Sequence, residues 1–221
     1  MRYEAAREFS DLLNTERKGS TQAFHLLGTL PSSTKFGMAA LLPHQDINYS
    51  HKGEISVDGI NIQGTEGRGK VLLNYSQGAI AVTYHDIKDM KRQEYKDLFE
   101  GKRLAYIYHN GIDAIGDHAA TARDVFNAVE KSFADLRLLV KNLINNLSAT
   151  HIYITSDHGF LYRRSALQEC DKIPRATGEA VEDNKRFVVT GENEDIKGAL
   201  SFSMEYLLGQ ANDLNVIVPR G

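Results

Sequence analysis

The chain has 221 residues, 42% hydrophobic and 25% charged, a balance that excludes disordered, fibrous and collagen-like classes. At this length a single core suffices, since single cores stop growing at about 250 to 300 residues, and residues 1–221 are read as one domain. The net charge of −3 excludes the broad basic field that non-specific nucleic-acid binding relies on, so any polyanion must be met locally.

Residues 2–17 place Ala5, Phe9, Leu12 and Leu13 on one stripe of a helix. The apolar run 23–30 (AFHLLGTL) predicts a buried strand, and Pro31-Ser32-Ser33-Thr34 a turn that ends it and caps a helix running through KFGMAALLP to Pro43. Residues 53–70 alternate apolar and polar around Asp58-Gly59, a hairpin signal, and their Gly-rich end predicts a flap or hairpin excursion at about 51–75. The segments 79–84, 103–109 and 151–156 are rich in β-branched and aromatic residues and are separated by helical patterns at about 87–100 and 119–147. Strands alternating with helices predict an α/β fold on a mostly parallel central sheet flanked by helices. Further strands are expected at 185–190, 199–206 (with some helical character) and 214–219. No apolar run approaches the about 20 residues of a bilayer span, and the first residues lack an apolar signal core, so a cytoplasmic protein without membrane contact is expected. The lone Cys170 cannot form an internal disulfide and is read as a structural thiol.

Ligands of parallel sheets bind beyond the carboxyl ends of the strands, and three of the expected ends carry ligand chemistry. Asp157-His158, followed by Gly159, offers a carboxylate and an imidazole suited to Zn²⁺ or Mn²⁺. The same dipeptide also fits a polar turn in which Asp caps and His faces solvent. Asp113 and Asp117 converge if the chain turns helically there, as ligands or as an N-terminal cap; His118 points away from Asp117 on such a helix. Thr34 stands where a strand-to-helix turn presents its hydroxyl beside helix N-terminal amides, a phosphate cradle or a simple cap. No Gly-x-Gly-x-x-Gly opens the first strand–helix junction, which disfavours a dinucleotide-binding domain.

Taken together, HIYITSDHGFLYRR, LAYIYHNGIDAIGD, LPSSTKFGMAALLP and RYEAAREF resemble the PglZ family of the alkaline phosphatase superfamily, found in bacterial phage-defence systems of the BREX type. The resemblance implies an alkaline-phosphatase-like core and a metal-dependent phosphoester hydrolase, a phosphatase or phosphodiesterase. Thr34 corresponds to its transiently phosphorylated nucleophile, Asp157 and His158 to ligands of one metal, and Asp113 and Asp117 to ligands of a second. Asp117 stands where the pattern has His, which shifts preference toward Mg²⁺ or Mn²⁺ over a two-zinc site. The resemblance also implies a metal-binding Asp strand ahead of the first helix and a His ligand beyond residue 221, so the domain is expected to be truncated at both ends and weak or inactive as a fragment. Implied partners are a phosphoester substrate, nucleic acid among the candidates through Arg68, Lys70, Arg163 and Arg164, and other phage-defence proteins. The competing reading is a non-catalytic scaffold that keeps the fold and assembles the defence complex.

Overall fold

The computed structural model describes residues 3–15, 20–112, 125–159, 168–169, 172–174, 178–184, 186–210 and 212–220. In chain order the elements are α1 (Tyr3–Thr15), α2 (Thr34–Leu41), β1 (Ile47–Tyr49), β2 (Ile55–Val57), β3 (Ile60–Asn61), α3 (Gly64–Tyr75), β4 (Ala79–Thr83), α4 (Tyr84–Ile87), α5 (Arg92–Phe99), β5 (Leu104–Tyr108), α6 (Val125–Leu147), β6 (Ala180–Asp183), β7 (Val188–Thr190), β8 (Ala199–Ser203), α7 (Glu205–Leu208) and β9 (Asn215–Pro219). They form two compact units, Met1–Leu27 with Leu72–Tyr162, and Gly28–Val71 with Arg163–Gly221.

The first unit is built around α6 and the parallel pair β4–β5, whose register runs from Ala79 opposite Leu104 to Thr83 opposite Tyr108. The apolar stripe of α1 docks as its periodicity dictates: Phe9 is buried against Phe133 with ring centroids 5.0 Å apart, and Ala5, Leu12 and Leu13 pack beside it. Ile87, Tyr95, Phe99 and Val129 complete the centre of this core. At the end of β4 the chain turns at once into α4 through a capping box, in which the Thr83 hydroxyl accepts from the Asp86 amide and the Asp86 carboxylate accepts from the Thr83 amide. That cap places Tyr84 directly beyond the carboxyl end of the strand.

The second unit holds two antiparallel sheets, β1-β2-β3 and β6-β7-β9-β8. Asp58 and Gly59 both take positive φ, 48° and 78°, as the two-residue turn between β2 and β3 demands. Val57 and Ile55 turn inward from this hairpin, and Phe36 of α2 meets Tyr49 of β1 edge-on at 4.9 Å. The Gly-rich stretch that follows is helical, as α3. A Cβ at Gly67 would lie 2.1 Å from the Asn61 carbonyl oxygen, so only glycine lets this helix lie against the end of β3.

The expectation of a mostly parallel central sheet is corrected in part. Parallel pairing among the described residues is confined to β4–β5, and the other strands pair antiparallel. Neither 23–30 nor 151–156, both expected as strands, forms a ladder among the described residues, and Leu27 (101% exposed) and Tyr153 (87%) face outward. An apolar β-rich run becomes a strand only where another strand lies alongside to take its amides and carbonyls, and among the described residues no strand pairs with these runs. The strands expected late in the chain are present as β7, β8 leading into α7, and β9. No described helix is long and apolar enough to cross a membrane.

Phe36→Ala should lower the unfolding free energy by about 3 to 5 kcal/mol in denaturant titration, because a fully buried aromatic leaves a cavity. Leu27→Ala, at a fully exposed position, should stay within about 0.5 kcal/mol of the parent.

Candidate functional site

Thr34 is the first residue of α2, and Ser33 before it holds the N-cap position in extended conformation without a side-chain cap. The Ser33 hydroxyl is buried and has no hydrogen-bond partner among the described residues. The first-turn amides are therefore not claimed by the residue that ordinarily caps them. The turn itself is pinned by Tyr206 of α7, whose hydroxyl accepts from the Leu30 amide at 2.7 Å and donates to the Leu30 carbonyl. Thr34 lines a cavity of about 410 Å³ together with Lys35, Met38, Asn61, Gln63 and Arg68.

Beside Thr34, Lys35 reaches across the second unit. Its ammonium donates to the Gly53 carbonyl at 2.9 Å and to Glu182 Oε2 of β6 at 2.8 Å, and lies 5.2 Å from the centre of the Tyr49 ring. The Tyr49 hydroxyl donates to the same Glu182 oxygen at 2.6 Å. Burial, reinforced by that hydrogen bond and by the Glu182 charge, holds the Tyr49 hydroxyl well above the ordinary tyrosine value, so it remains a donor.

In the first unit, Asp157 and His158 are brought together, with Asp157 Oδ2 3.6 Å from His158 Nε2 and both side chains nearly buried. His158 Nδ1 lies 2.8 Å from the Gly159 carbonyl, which can only accept; Nδ1 therefore carries a proton, and in the neutral ring Nε2 carries the lone pair. Asp157 Oδ2 is buried without a hydrogen-bond partner among the described residues. An orphaned carboxylate oxygen next to an imidazole nitrogen is a donor pair that suits a divalent cation, with bonds of about 2.0 to 2.2 Å. Two donors do not complete a shell, and the described residues contain no group of three or more His, Cys, Asp or Glu able to hold a metal. Asp113 and Asp117 lie outside the described residues. Thr34 belongs to the second unit and Asp157-His158 to the first.

A further cluster escaped sequence reasoning. Tyr84 follows β4, His109 follows β5, and both meet Asp135 of α6 at the carboxyl edge of the parallel pair. His109 Nε2 is 3.5 Å from Asp135 Oδ2, its Nδ1 accepts from the Gly111 amide at 3.3 Å, and the Tyr84 and His109 rings are 4.9 Å apart. The signal available in the sequence was position alone: Tyr84 and His109 are the last residues of the β-rich runs 79–84 and 103–109. The Tyr84 hydroxyl is pushed up to about 12, first by burial and then by the charge of Asp135 and the hydrogen bond to it.

Comparison with known proteins places this geometry in context. The family model for the "BREX system PglZ alkaline phosphatase-like domain" matches residues 1–221. The chain is 44% identical over 221 residues to the "Alkaline phosphatase-like protein PglZ" of Bacillus cereus (strain H3081.97), covering all of this chain and 26% of that protein. It is 37% identical over 193 residues to the "Alkaline phosphatase-like protein BrxZ" of Escherichia coli O9:H4 (strain HS), covering 86% of this chain and 22% of that protein. The chain thus spans about a quarter of the length of the curated relatives it matches. No solved structure matches.

Because the fold favours the protonated form of Tyr84, its contribution to stability is complete below the ordinary value of 10.0 and is lost as pH rises toward about 12. In ultraviolet titration of the phenolates, Asp135→Asn should bring one ionisation step down toward the ordinary value, and Tyr84→Phe should remove that step.

Proposed function

Since the chain belongs to the PglZ family of alkaline-phosphatase-like domains of BREX systems, we propose that it is the phosphoester-hydrolysing domain of a phage-defence protein, with Thr34 as the nucleophile. The observation that carries this reading is the placement of Thr34 at the first position of α2, on a cavity, behind an N-cap residue whose side chain does not cap. A phosphoryl group seated there would meet the positive end of the helix and its first-turn amides.

In the proposed reaction the Thr34 oxygen attacks phosphorus in line with the departing ester oxygen. The P–O bond to threonine forms as the bond to the leaving group breaks. Water then attacks the phosphothreonine, releasing phosphate or, from a diester, a monoester, and restoring the hydroxyl. Asp157 and His158, joined by Asp113 and Asp117, are the proposed holders of one or two divalent ions, Zn²⁺, Mn²⁺ or Mg²⁺. When bound, such ions lower the pKa of a hydroxyl nucleophile and neutralise charge developing on the phosphoryl oxygens. The orphaned Asp157 oxygen supports this assignment. The active centre of the intact protein, its substrates, nucleic acid among them, and its partners within the defence system are part of the same proposal.

The whole protein, assayed with Zn²⁺, Mn²⁺ or Mg²⁺ on an aryl phosphate and on a bis-aryl phosphodiester, should turn over at least one of them. Thr34→Ala should cost on the order of 10³-fold or more in kcat, the scale of losing a covalent nucleophile, and chelation should abolish turnover. Activity that survives Thr34→Ala would remove the nucleophile from the proposal. Turnover of neither substrate with any of the metals would favour the scaffold reading, toward which Asp117 in the place of histidine leans.

A further inference from the structure

We propose that Lys35 is an anion ligand held in reserve: a phosphate group entering the cavity displaces the Glu182 carboxylate from the Lys35 ammonium and takes its place. The inference deepens the preceding reading and rests on it for the identity of the cavity as the phosphoester site, though its test does not depend on hydrolysis.

Lys35 lines the cavity one residue after Thr34, and Arg68 of α3 lines it as well, its Nε fixed on the Ile62 carbonyl. An ammonium has three N–H groups. Those of Lys35 have two hydrogen-bonded acceptors among the described residues, the Gly53 carbonyl and Glu182 Oε2, so one N–H has no protein acceptor there. The side chain is about one-third exposed and ends a flexible four-carbon stem, which lets the ammonium shift by small rotations.

Glu182 is built to be left. Its Oε2 accepts from both Lys35 and Tyr49, and the Tyr49 bond, at 2.6 Å, is the shorter. When Lys35 turns to an incoming phosphate, the carboxylate keeps a strong donor and is not stranded without a partner. Without Tyr49, displacement would leave a half-buried charge bare, and the exchange would be disfavoured. The resting pair also sets a threshold, because an anion must outcompete Glu182 to enter. A phosphate dianion, with higher charge and three acceptor oxygens, is favoured over a monoanion. Glu54 lines the same cavity but is exposed and has no hydrogen bond to Lys35, so it opposes anions only through a screened field.

The test is calorimetric titration of the whole, chelator-treated protein with inorganic phosphate. Glu182→Gln should tighten phosphate binding by about tenfold, because the competing charge is gone while an acceptor remains for Tyr49. Glu54→Gln should change it by less than about twofold, as expected of a screened surface charge. Lys35→Met should weaken binding by about tenfold or more, with Lys35→Arg recovering most of it, and Tyr49→Phe should weaken it severalfold. Circular dichroism melts establish that each variant is folded; Glu182→Gln and Glu54→Gln leave every backbone contact in place and carry the comparison even if Lys35→Met does not fold. The proposal is overturned if Glu182→Gln binds phosphate no more tightly than wild type or Glu54→Gln, or if folded Lys35→Met binds as wild type does. Thr34→Ala separates the two readings: hydrolysis should fall by on the order of 10³-fold or more, while Glu182→Gln should still tighten phosphate binding about tenfold when made in the Thr34→Ala background. Hydrolysis that persists in Thr34→Ala, with the Glu182 and Lys35 effects present, removes the nucleophile but keeps the anion ligand.

Discussion

A half-buried carboxylate needs partners, and in the second unit Glu182 finds two donors on other elements among the described residues. Lys35 comes from the first turn of α2, 147 residues away in sequence, and Tyr49 from β1, 133 residues away. Leaving such a charge unpaired is costly, so the carboxylate links α2, β1 and β6 through its hydrogen bonds. Lys35 extends the junction to the Gly53 carbonyl, in the turn between β1 and β2. Thr34, the neighbour of Lys35, inherits its position from this arrangement. Tyr206 holds the chain ahead of Thr34 through both backbone polar groups of Leu30.

The first unit positions its chemistry by a different device. Its parallel strands end in register at Thr83 and Tyr108, so the residues that follow, Tyr84 and His109, emerge side by side. Asp135, on the long helix α6, closes the cluster from above the strand ends. This agrees with the general tendency of parallel strands to collect polar residues beyond their carboxyl ends, and the tight capping box at Thr83 leaves no loop in which Tyr84 could wander. Asp157 and His158 share the same unit, where the Asp157 Oδ2 is buried without a hydrogen-bond partner among the described residues.

Family membership was legible because it rests on short runs with mechanical demands: PSST ahead of a helix, a polar run after RLAYIYH, and Ser-Asp-His-Gly. The match over residues 1–221 bears it out. Strand pairing was legible only in part. The hairpin at Asp58-Gly59 was readable because its turn needs two left-handed residues, a local requirement. By contrast, 23–30 and 151–156 have the composition of strands but form no ladder among the described residues, since a ladder depends on what lies alongside. Within 53–70 the Gly-rich end forms the start of α3 at Gly64, and close approach to Asn61 is what requires Gly67.

What the sequence by itself determined are features decided within a few residues: the amphipathic stripe of α1, a helix following the Pro31-Ser32-Ser33-Thr34 turn, the turn of the hairpin, and the motif set that marks the family. Their physics is local, in side-chain periodicity and backbone conformational preference. Only the tertiary structure decided that Lys35 pairs with Glu182 and Tyr49, that Tyr84, His109 and Asp135 share one edge, and that parallel pairing among the described residues stops at β4–β5. Those outcomes depend on which distant groups can satisfy a buried charge or an open ladder. No window of sequence contains both partners of such a bond.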